Sequence, residues 1–302
     1  MLKNEFSWSH SRAEMFQRCQ REYYYNYYGA WGGWLPAADP LKRELYILKN
    51  IKNRWAWMGD LVHFFIEKIS AALLRKEAVL SEQILQQADQ AMRREFIQSR
   101  DKKYRLDPKN QNGLVEHEYN LTLPDQDWKW IHGNVKRCLT NFFFSRIYSQ
   151  IKELDPSAVF NIEKLDNFEF EGVKIYAKPD LAYRSQEKIY LIDWKTGEPA
   201  ADHLIQVNSY ILYAEKKWRV DPQQIQAKIV YLKNLEEKDI AVTNDSQDQI
   251  KNHMRDSIQR MKIASVNPES GEPSLALSPM TQDRAHCKWC RFQGICYGRQ
   301  AK

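Results

Sequence analysis

The sequence predicts an α/β protein in which a mixed central sheet is flanked by helices and preceded by a large helical half. The first observation is the helical spacing of apolar residues in the N-terminal half, clearest in residues 54–76. The second is a change near Ala158 to short apolar runs separated by polar turns, which is typical of strands. The third is size, because 302 residues with 43% hydrophobic side chains can bury one large core or two small ones.

The helical half is defined by apolar residues that recur every three to four positions. The predicted helices cover residues 7–28, 54–76, 81–100 and 125–152, and the first of them begins at Ser7 or Ser9. Residues 28–40 contain Gly and Pro and predict a loop between the first two helices.

The strands are predicted from residue 159 onward. Residues 159–183 alternate apolar and polar side chains, with predicted turns at Asp166-Asn167 and at Glu171-Gly172. The run "KIYLIDWK", residues 188–195, predicts the next strand.

Helices and a hairpin follow this strand. Residues 202–218 have helical spacing, and Asp202 is the expected N-terminal cap. The runs "QAKIVYLKN" and "KDIAVTN" predict a hairpin, and residues 245–264 predict a last helix. Residues 268–279 predict a loop that leads into a cysteine cluster.

These patterns divide the chain into three predicted regions. Residues 1–157 form a mainly helical region, and residues 158–265 form the α/β core. Residues 266–302 form a cysteine-rich segment that closes onto the N-terminus.

Charge and hydropathy restrict the partners. The formal net charge is +6 and the sequence pI is about 8.9, which permits a polyanionic partner without requiring one. No apolar run reaches the length of about 18 residues that a membrane span needs. The first residues lack the apolar segment of a secretory signal, so we expect a cytoplasmic protein that does not bind membranes.

Charged residues end the strand at residues 188–195, where an apolar strand would be expected to continue. Side chains alternate faces along a strand, so Asp193 and Lys195 share a face with Cα atoms ~6.5 Å apart. If the preceding run pairs with this strand as a hairpin, Asp180 approaches Asp193. Two converging carboxylates repel each other, and a hard divalent cation removes that conflict. A lysine beside the cation can activate a water molecule and stabilise negative charge. The alternative is an ordinary surface hairpin with a salt bridge.

These residues also carry a resemblance to a known family. The segments "KPD" (178–180) and "DWK" (193–195) resemble the motif of the PD-(D/E)XK nuclease superfamily. The segments "GDLVHFFIEK" and "QVNSY" resemble the motifs of its RecB-like branch. Many relatives carry Gly shortly before the first Asp, whereas this chain has Ala177-Lys178-Pro179.

The resemblance implies a restriction-endonuclease-like core and a specific set of site residues. The implied catalytic residues are Asp180, Asp193, Lys195, Gln206 and Tyr210. The implied ligands of a catalytic Mg²⁺ or Mn²⁺ are His63, Asp180, Asp193 and the backbone carbonyl of Trp194. Glu163 is a weaker candidate, because the first strand could bring it near the site.

Five cysteines are present, and four of them suggest a metal site. Cys287, Cys290 and Cys296 have Cys-x2-Cys-x5-Cys spacing, and Cys19 could supply a fourth thiolate. Four thiolates suit either Zn²⁺ or a [4Fe–4S] cluster. Nucleases of the AddB kind and CRISPR adaptation nucleases place one cysteine before the core and three after it, and the resemblance therefore favours the cluster. Cys138 is expected to be a buried bystander.

The aromatic stretch "REYYYNYYGAWGGW" has two interpretations. Exposed, its rings could stack on nucleotide bases. Alternatively, they pack around the core and the cysteine site.

Together these features predict a metal-dependent DNA nuclease with a structural iron–sulfur cluster. The expected activity is exonuclease cleavage of phosphodiester bonds in single-stranded DNA or DNA with free ends. The expected role is DNA repair, recombination or DNA-end processing, with a possible protein partner in a repair or CRISPR complex. Three alternatives remain open: a catalytically idle iron–sulfur nucleic-acid-binding subunit, a CRISPR adaptation nuclease, and an electron-transfer protein.

Overall fold

The N-terminal part of the chain is helical, as predicted. A computed structural model describes residues 4–264 and 272–298. The elements of the N-terminal part are β1 (Ser7–Trp8), α1 (His10–Arg18), α2 (Gln20–Tyr24), α3 (Pro40–Lys49), α4 (Arg54–Leu74), α5 (Ser81–Arg100), α6 (Val115–Glu118), α7 (Asp125–Phe144) and α8 (Arg146–Glu153).

Strands first appear in number from Val159 onward, as the change of sequence pattern predicts, and they alternate with helices. The elements of this part are β2 (Val159–Ile162), β3 (Asp166–Phe170), β4 (Val173–Ala177), β5 (Leu181–Ser185), β6 (Lys188–Lys195), α9 (Asp202–Trp218), β7 (Ile225–Tyr231), β8 (Glu236–Ile240), α10 (Asn244–Ala264), α11 (Arg284–Lys288) and α12 (Gln293–Cys296). The mixed α/β class predicted from the sequence is therefore confirmed.

The larger of the two sheets that the described residues form has five strands in the order β2-β5-β6-β7-β8. Strands β6 and β7 are parallel, with Asp193 opposite Ile229, and the other neighbours are antiparallel. The central strand β6 is paired on both sides, which explains its apolar sequence before the charged end.

Helices cover both faces of this sheet. On one face, Ile192 and Trp194 of β6 pack with residues of α4, α5, α7 and α8. On the other face, Ile189 and Leu191 pack with residues of α9 and α10. The alternation along β6 therefore points Asp193 towards the face that α9 covers.

The smaller sheet joins the start of the chain to the core. Strand β1 pairs in parallel with β4, with Trp8 opposite Ile175, and β3 pairs antiparallel with β4. The buried indole of Trp8 donates a hydrogen bond to the Ser257 hydroxyl of α10 at 2.8 Å. Of the two predicted starts of the first helix, Ser7 is wrong because Ser7 and Trp8 are strand residues, and Ser9 is confirmed as the N-cap of α1.

Extended residues also break two predicted helices. Cys19 has φ −160° and ψ 110°, which separates α1 from α2, and Tyr25–Gly29 continue as a π-helical turn. Ser145 is extended in the same way and divides the predicted helix 125–152 into α7 and α8. Its hydroxyl accepts a hydrogen bond from the Tyr148 amide, so the second helix is capped.

The strand and helix boundaries correct three local predictions. Asp166 and Asn167 do not form a turn but pair with β4 as the first residues of β3. Asp202 is the first residue of α9, and the cap position belongs to Ala201. The predicted loop between the first two helices ends in Asp39, which caps the helix α3 that follows.

Most of the aromatic stretch packs against the core. Tyr23 and Tyr25 are buried, and Tyr24, Tyr27 and Tyr28 pack against core residues. This arrangement favours the packing interpretation over base stacking for these five rings.

The predicted division at residues 157/158 and 265/266 stays a prediction. Part of the predicted C-terminal region and of its loop, residues 266–271 and 299–302, lies outside the described residues. In the part of the chain that the structure describes, no helix combines the length and apolar character needed to cross a bilayer.

Candidate active site

Asp180 and Asp193 meet at the end of the β5–β6 hairpin. Leu181 lies opposite Ile192, so Asp180, one residue earlier, faces the position of Asp193. The backbone amide of Trp194 donates a hydrogen bond to Asp180 Oδ2 at 2.7 Å. Asp180 is 5% exposed and Asp193 is 1% exposed, so both carboxylates are withdrawn from water.

Asp193 is the least compensated of these acids. Burial, followed by the charge of Asp180, raises the pKa of Asp193 to about 7, although the Lys195 ammonium opposes this shift. Lys195 Nζ lies 2.9 Å from Asp193 Oδ2. Among the described residues, neither oxygen of Asp193 has a partner with hydrogen-bond geometry. Because a buried carboxylate without such partners is costly, the site suits a cation.

His63 of α4 approaches two carboxylates of the site, those of Glu163 and Asp180. Its Nδ1 atom lies 2.6 Å from Glu163 Oε1 and 3.4 Å from Asp180 Oδ1. Burial opposes the charged imidazole, but the carboxylates of Asp180 and Glu163 outweigh burial and raise the pKa of His63 to about 10. A metal ion that binds this ring must therefore displace a proton.

Glu163 lies at the centre of this group, although the sequence made it only a weak candidate. The indole of Trp194 donates to its Oε1 at 3.2 Å, and the Lys178 ammonium lies 2.6 Å from its Oε2. Burial raises the pKa of Glu163, but His63 and Lys178 outweigh burial and lower it. Ligand atoms of His63, Glu163 and Asp180 all lie within 4.8 Å of one another. Glu163 has φ 49°, which is unusual for a residue with a side chain.

Lys195 is held by a chain of side chains from α9. Its ammonium donates to Gln206 Oε1 at 2.5 Å, and Gln206 Nε2 donates to Tyr210 OH at 2.7 Å. Gln206 and Tyr210 are one helical turn apart, which is why both can face β6. Burial opposes the charge on Lys195, but Asp193 and Asp180 raise its pKa, so the group is a cation at neutral pH.

An open cavity of about 770 Å³ gives solvent access to this arrangement. His63, Glu163, Asp180, Gln206 and Tyr210 belong to its wall. Asp193 and Lys195 lie deeper, and Lys195 reaches the wall through Gln206. The structure thus brings the predicted catalytic side chains together, while the role of the Trp194 carbonyl stays a prediction.

The four predicted cluster cysteines also approach one another. Burial raises the pKa of Cys296 to about 11. The thiols of Cys19 and Cys287 add to this shift, and the Arg21 guanidinium opposes it. Burial also raises the pKa of Cys290, and Cys296 and Cys19 contribute to that shift. Backbone amides at 3.4 Å donate to the sulfur atoms of Cys19 and Cys290.

Cys138 is separate from this group. It is buried in α7, and burial raises its pKa to about 11, with no other thiol among the causes. Its surroundings fit the expectation of a buried bystander.

Further contacts join the N-terminal helices to the C-terminal segment. The His286 ring nitrogen Nε2 lies 2.8 Å from Glu22 Oε2, and the Arg21 amide donates to the Pro279 carbonyl at 3.1 Å. The Tyr119 hydroxyl donates to the Arg291 carbonyl at 2.6 Å. These contacts place Cys19 beside the three later cysteines.

Comparisons with known proteins agree with this geometry. A family model described as the PD-(D/E)XK nuclease superfamily matches residues 7–297. A solved structure described as "Crystal structure of SSO0001" is 17% identical, covering 69% of this chain and 85% of that chain, with a TM-score of 0.32. A likeness at this TM-score supports no further argument. No curated protein matches the sequence. Because the family match spans nearly the whole chain, this protein belongs to the PD-(D/E)XK nuclease superfamily.

Proposed function

We propose that this chain is a metal-dependent deoxyribonuclease of the RecB-like branch of its superfamily. The observation that carries the proposal is the buried pair of Asp180 and Asp193, with Lys195 Nζ 2.9 Å from Asp193 Oδ2. Two carboxylates and a lysine at one strand end can hold a divalent cation and orient a water molecule for phosphodiester hydrolysis.

The donor set fits Mg²⁺ or Mn²⁺. Asp180, Asp193, His63 and the Trp194 carbonyl would hold the ion. The strongest sign of this fit is the buried Asp193 carboxylate, whose Oδ1 has no partner among the described residues while its Oδ2 has only the Lys195 ammonium at 2.9 Å. A bound ion of this kind supplies Lewis-acid polarisation of a phosphoryl oxygen. His63 would give up its proton on binding, since the neutral imidazole is the ligand.

Lys195 acts at the reacting phosphate in this account. Its ammonium orients the attacking water and stabilises negative charge that develops during cleavage. Gln206 and Tyr210 fix the direction of the ammonium through their two hydrogen bonds. Both also belong to the cavity wall, where they would contact the substrate strand.

The cysteine site would hold a structural [4Fe–4S] cluster on Cys19, Cys287, Cys290 and Cys296. Thiolates at a tetrahedral Zn²⁺ stand about 3.8 Å apart, given Zn–S bonds of about 2.3 Å. Among the described residues, no three of these sulfurs form a group within 4.8 Å, which supports a centre larger than one zinc ion for the four thiolates. Cys290 does form such a group with Glu22 and His286. The cluster would join the helical region 1–157 to the segment 266–302 across the nuclease core 158–265.

The proposed substrate is DNA with free ends, which implies a role in DNA-end processing during repair or recombination. The net charge of +6 supports a polyanionic substrate. The accessible cavity over Asp180 supports entry of a single strand.

A cleavage panel tests this proposal. Purified protein is incubated with Mg²⁺ or Mn²⁺ and with linear single-stranded DNA, linear duplex, circular single-stranded DNA and RNA. We expect degradation of linear DNA while circles and RNA survive. Cut circles would contradict exonuclease action, degradation of RNA alone would contradict DNA specificity, and no cleavage of any substrate would indicate an idle binding subunit.

A further inference from the structure

A second group of metal-binding side chains lies outside the proposed nuclease site. His10 is the first residue of α1, Glu14 lies one turn later on the same face, and Asp202 is the first residue of α9. One ligand atom of each residue lies within 4.8 Å of the other two. Two helices that are distant in sequence therefore converge on one point.

The spacing within this group differs from that of the other histidine–carboxylate contacts. His63, His132 and His286 each approach a carboxylate oxygen to between 2.6 Å and 2.8 Å. His10 makes no such contact within the described residues, although two carboxylates lie within 4.8 Å. Neighbouring ligands on an ion bound at about 2.1 Å stand about 3 Å apart, so small rotations of these side chains would bring the three atoms to one ion. The His10 ring is thus close to two carboxylates without forming an ion pair with either.

The protonation state of His10 also suits metal binding. Burial lowers the pKa of His10 to about 4, and the nearby carboxylate of Asp202 only partly opposes this shift. The ring is therefore neutral at physiological pH and has a free lone pair. Asp202 has no hydrogen-bond or ion-pair partner among the described residues, and Glu14 pairs only with Arg18 at 3.3 Å on the surface.

This group is separate from Asp180 and Asp193. The charge of Lys195 acts on His10 and Glu14, but the set of His10, Glu14 and Asp202 has no residue in common with the set of His63, Glu163 and Asp180. His10, Glu14 and Asp202 line a cavity of about 410 Å³, and His10 also lines the larger nuclease cavity. His10 thus belongs to the wall of both cavities.

We propose that His10, Glu14 and Asp202 form a second divalent-cation site, selective for a first-row transition metal such as Mn²⁺ or Zn²⁺. One imidazole and two carboxylates are the donors that such ions prefer, whereas Mg²⁺ prefers oxygen ligands alone. Because His10 faces the nuclease cavity, a phosphate of the bound strand would complete the coordination; that part rests on the proposed function.

Counting bound Mn²⁺ tests the proposal, since thiolates discriminate against this ion. The full chain, with its cysteine site loaded, is titrated with Mn²⁺ while the electron paramagnetic resonance signal of free Mn²⁺ is recorded. The proteins compared are wild type, His10→Gln, Asp202→Asn, Asp193→Asn and the combination of His10→Gln with Asp193→Asn. His203→Gln is the matched control, because its ring lies beside Asp202 but contacts the Tyr231 hydroxyl at 3.2 Å. Circular dichroism checks the fold of each variant.

We expect two bound ions in wild type and His203→Gln, one in each other single variant and none in the combined variant. Loss of one ligand should weaken the affected site by on the order of 10²-fold. If His10→Gln and Asp202→Asn bind as many ions as wild type, the second site is overturned and the proposed nuclease stays intact. If Asp193→Asn binds as many ions as wild type and His10→Gln binds fewer, the result contradicts the proposed nuclease metal and supports the second site. If His203→Gln loses an ion as well, substitutions near Asp202 disturb binding without removing a ligand, and the assignment fails.

Discussion

The Lys195 ammonium lies 2.9 Å from Asp193 Oδ2, and this contact joins the buried end of β6 to the side chains of α9. The ammonium is itself held by Gln206, so its position is fixed before any substrate enters. The arrangement offers a preorganised positive charge next to two acids, as electrostatic stabilisation of a reacting phosphate requires.

Replacing Lys195 should therefore reduce turnover much more than DNA binding. We expect Lys195→Ala to lower the single-turnover cleavage rate by ~10²–10³, because the group acts where charge develops. Its affinity for a DNA strand, measured by filter binding without divalent metal, should change little. Equal losses in rate and affinity would identify Lys195 as a phosphate anchor instead.

Metal affinity should increase with pH in a specific range. Asp193 has a pKa of about 7 and His63 of about 10, so both hold protons at pH 6 that a bound ion must displace. Between pH 6 and 8 the proton on Asp193 is lost, and Mn²⁺ binding should tighten by up to about tenfold per pH unit for each displaced proton. Titration calorimetry in buffers of different ionisation enthalpy measures both the affinity and the protons released.

A variant separates the contributions of these two groups. Asp193→Asn should lose the change near pH 7, while proton release from His63 should persist in any residual binding. A wild-type affinity that is constant from pH 6 to 8 would show that Asp193 is not a ligand.

If the four cysteines hold an iron–sulfur cluster, the protein should be coloured and should depend on the cluster for its stability. Anaerobically purified protein should be brown, and Cys290→Ala should lose iron, colour and solubility, because its buried sulfur faces Cys19 and Cys296. Cys138→Ala is the control and should keep all three properties. A colourless protein with one equivalent of zinc would overturn the cluster but keep the structural tie, whereas a fully stable Cys290→Ala protein would overturn the tie.

The buried ion pair of Arg54 and Glu116 leads to a separate prediction about the stability of the protein. The Arg54 guanidinium lies 3.8 Å from the Trp55 ring and 4.6 Å from the Trp289 ring, and it pairs with Glu116 at 3.2 Å. Arg54→Ala should lower the free energy of unfolding by ~3–5 kcal/mol, because Glu116 is buried and would lose its partner. Urea denaturation measures the change.

The compensating variant tests the reason for that loss. Arg54→Met combined with Glu116→Leu should recover most of the stability, since no charge is then buried alone. If the double variant is as unstable as Arg54→Ala, packing of Arg54 against the two rings, not the lost charge pair, determines the effect.

Local periodicity explains what the sequence predicts about the site. The alternation of side chains along β6 places Lys195 on the face of Asp193, and the hairpin register brings Asp180 to the same end. Helical spacing places Tyr210 one turn after Gln206, where the two side chains are hydrogen-bonded. Each of these relationships depends on residues close in sequence or on one strand pair.

The features that sequence analysis missed or, like Glu163, ranked too low depend on distant contacts or on unusual backbone geometry. Glu163 meets His63 across 100 positions of the chain, from a residue with φ 49°. The strand Ser7–Trp8 exists only because β4 supplies its partner. The breaks at Cys19 and Ser145 lie within apolar helical spacing, so periodicity gives no sign of them.

Cleavage by Asp193→Asn is the most direct measurement of the central claim. Burial raises the pKa of Asp193 above its value in the unfolded chain, so its contribution to stability is present at low pH and is lost as pH rises through about 7. At pH 8 the neutral amide should therefore leave the metal-free Tm equal or higher while abolishing Mn²⁺-dependent DNA cleavage. Asp89→Asn, on the helical face where Asp89 pairs with His132, is the control and should cleave normally. Retained Mn²⁺-dependent cleavage by pure, folded Asp193→Asn protein would contradict the account.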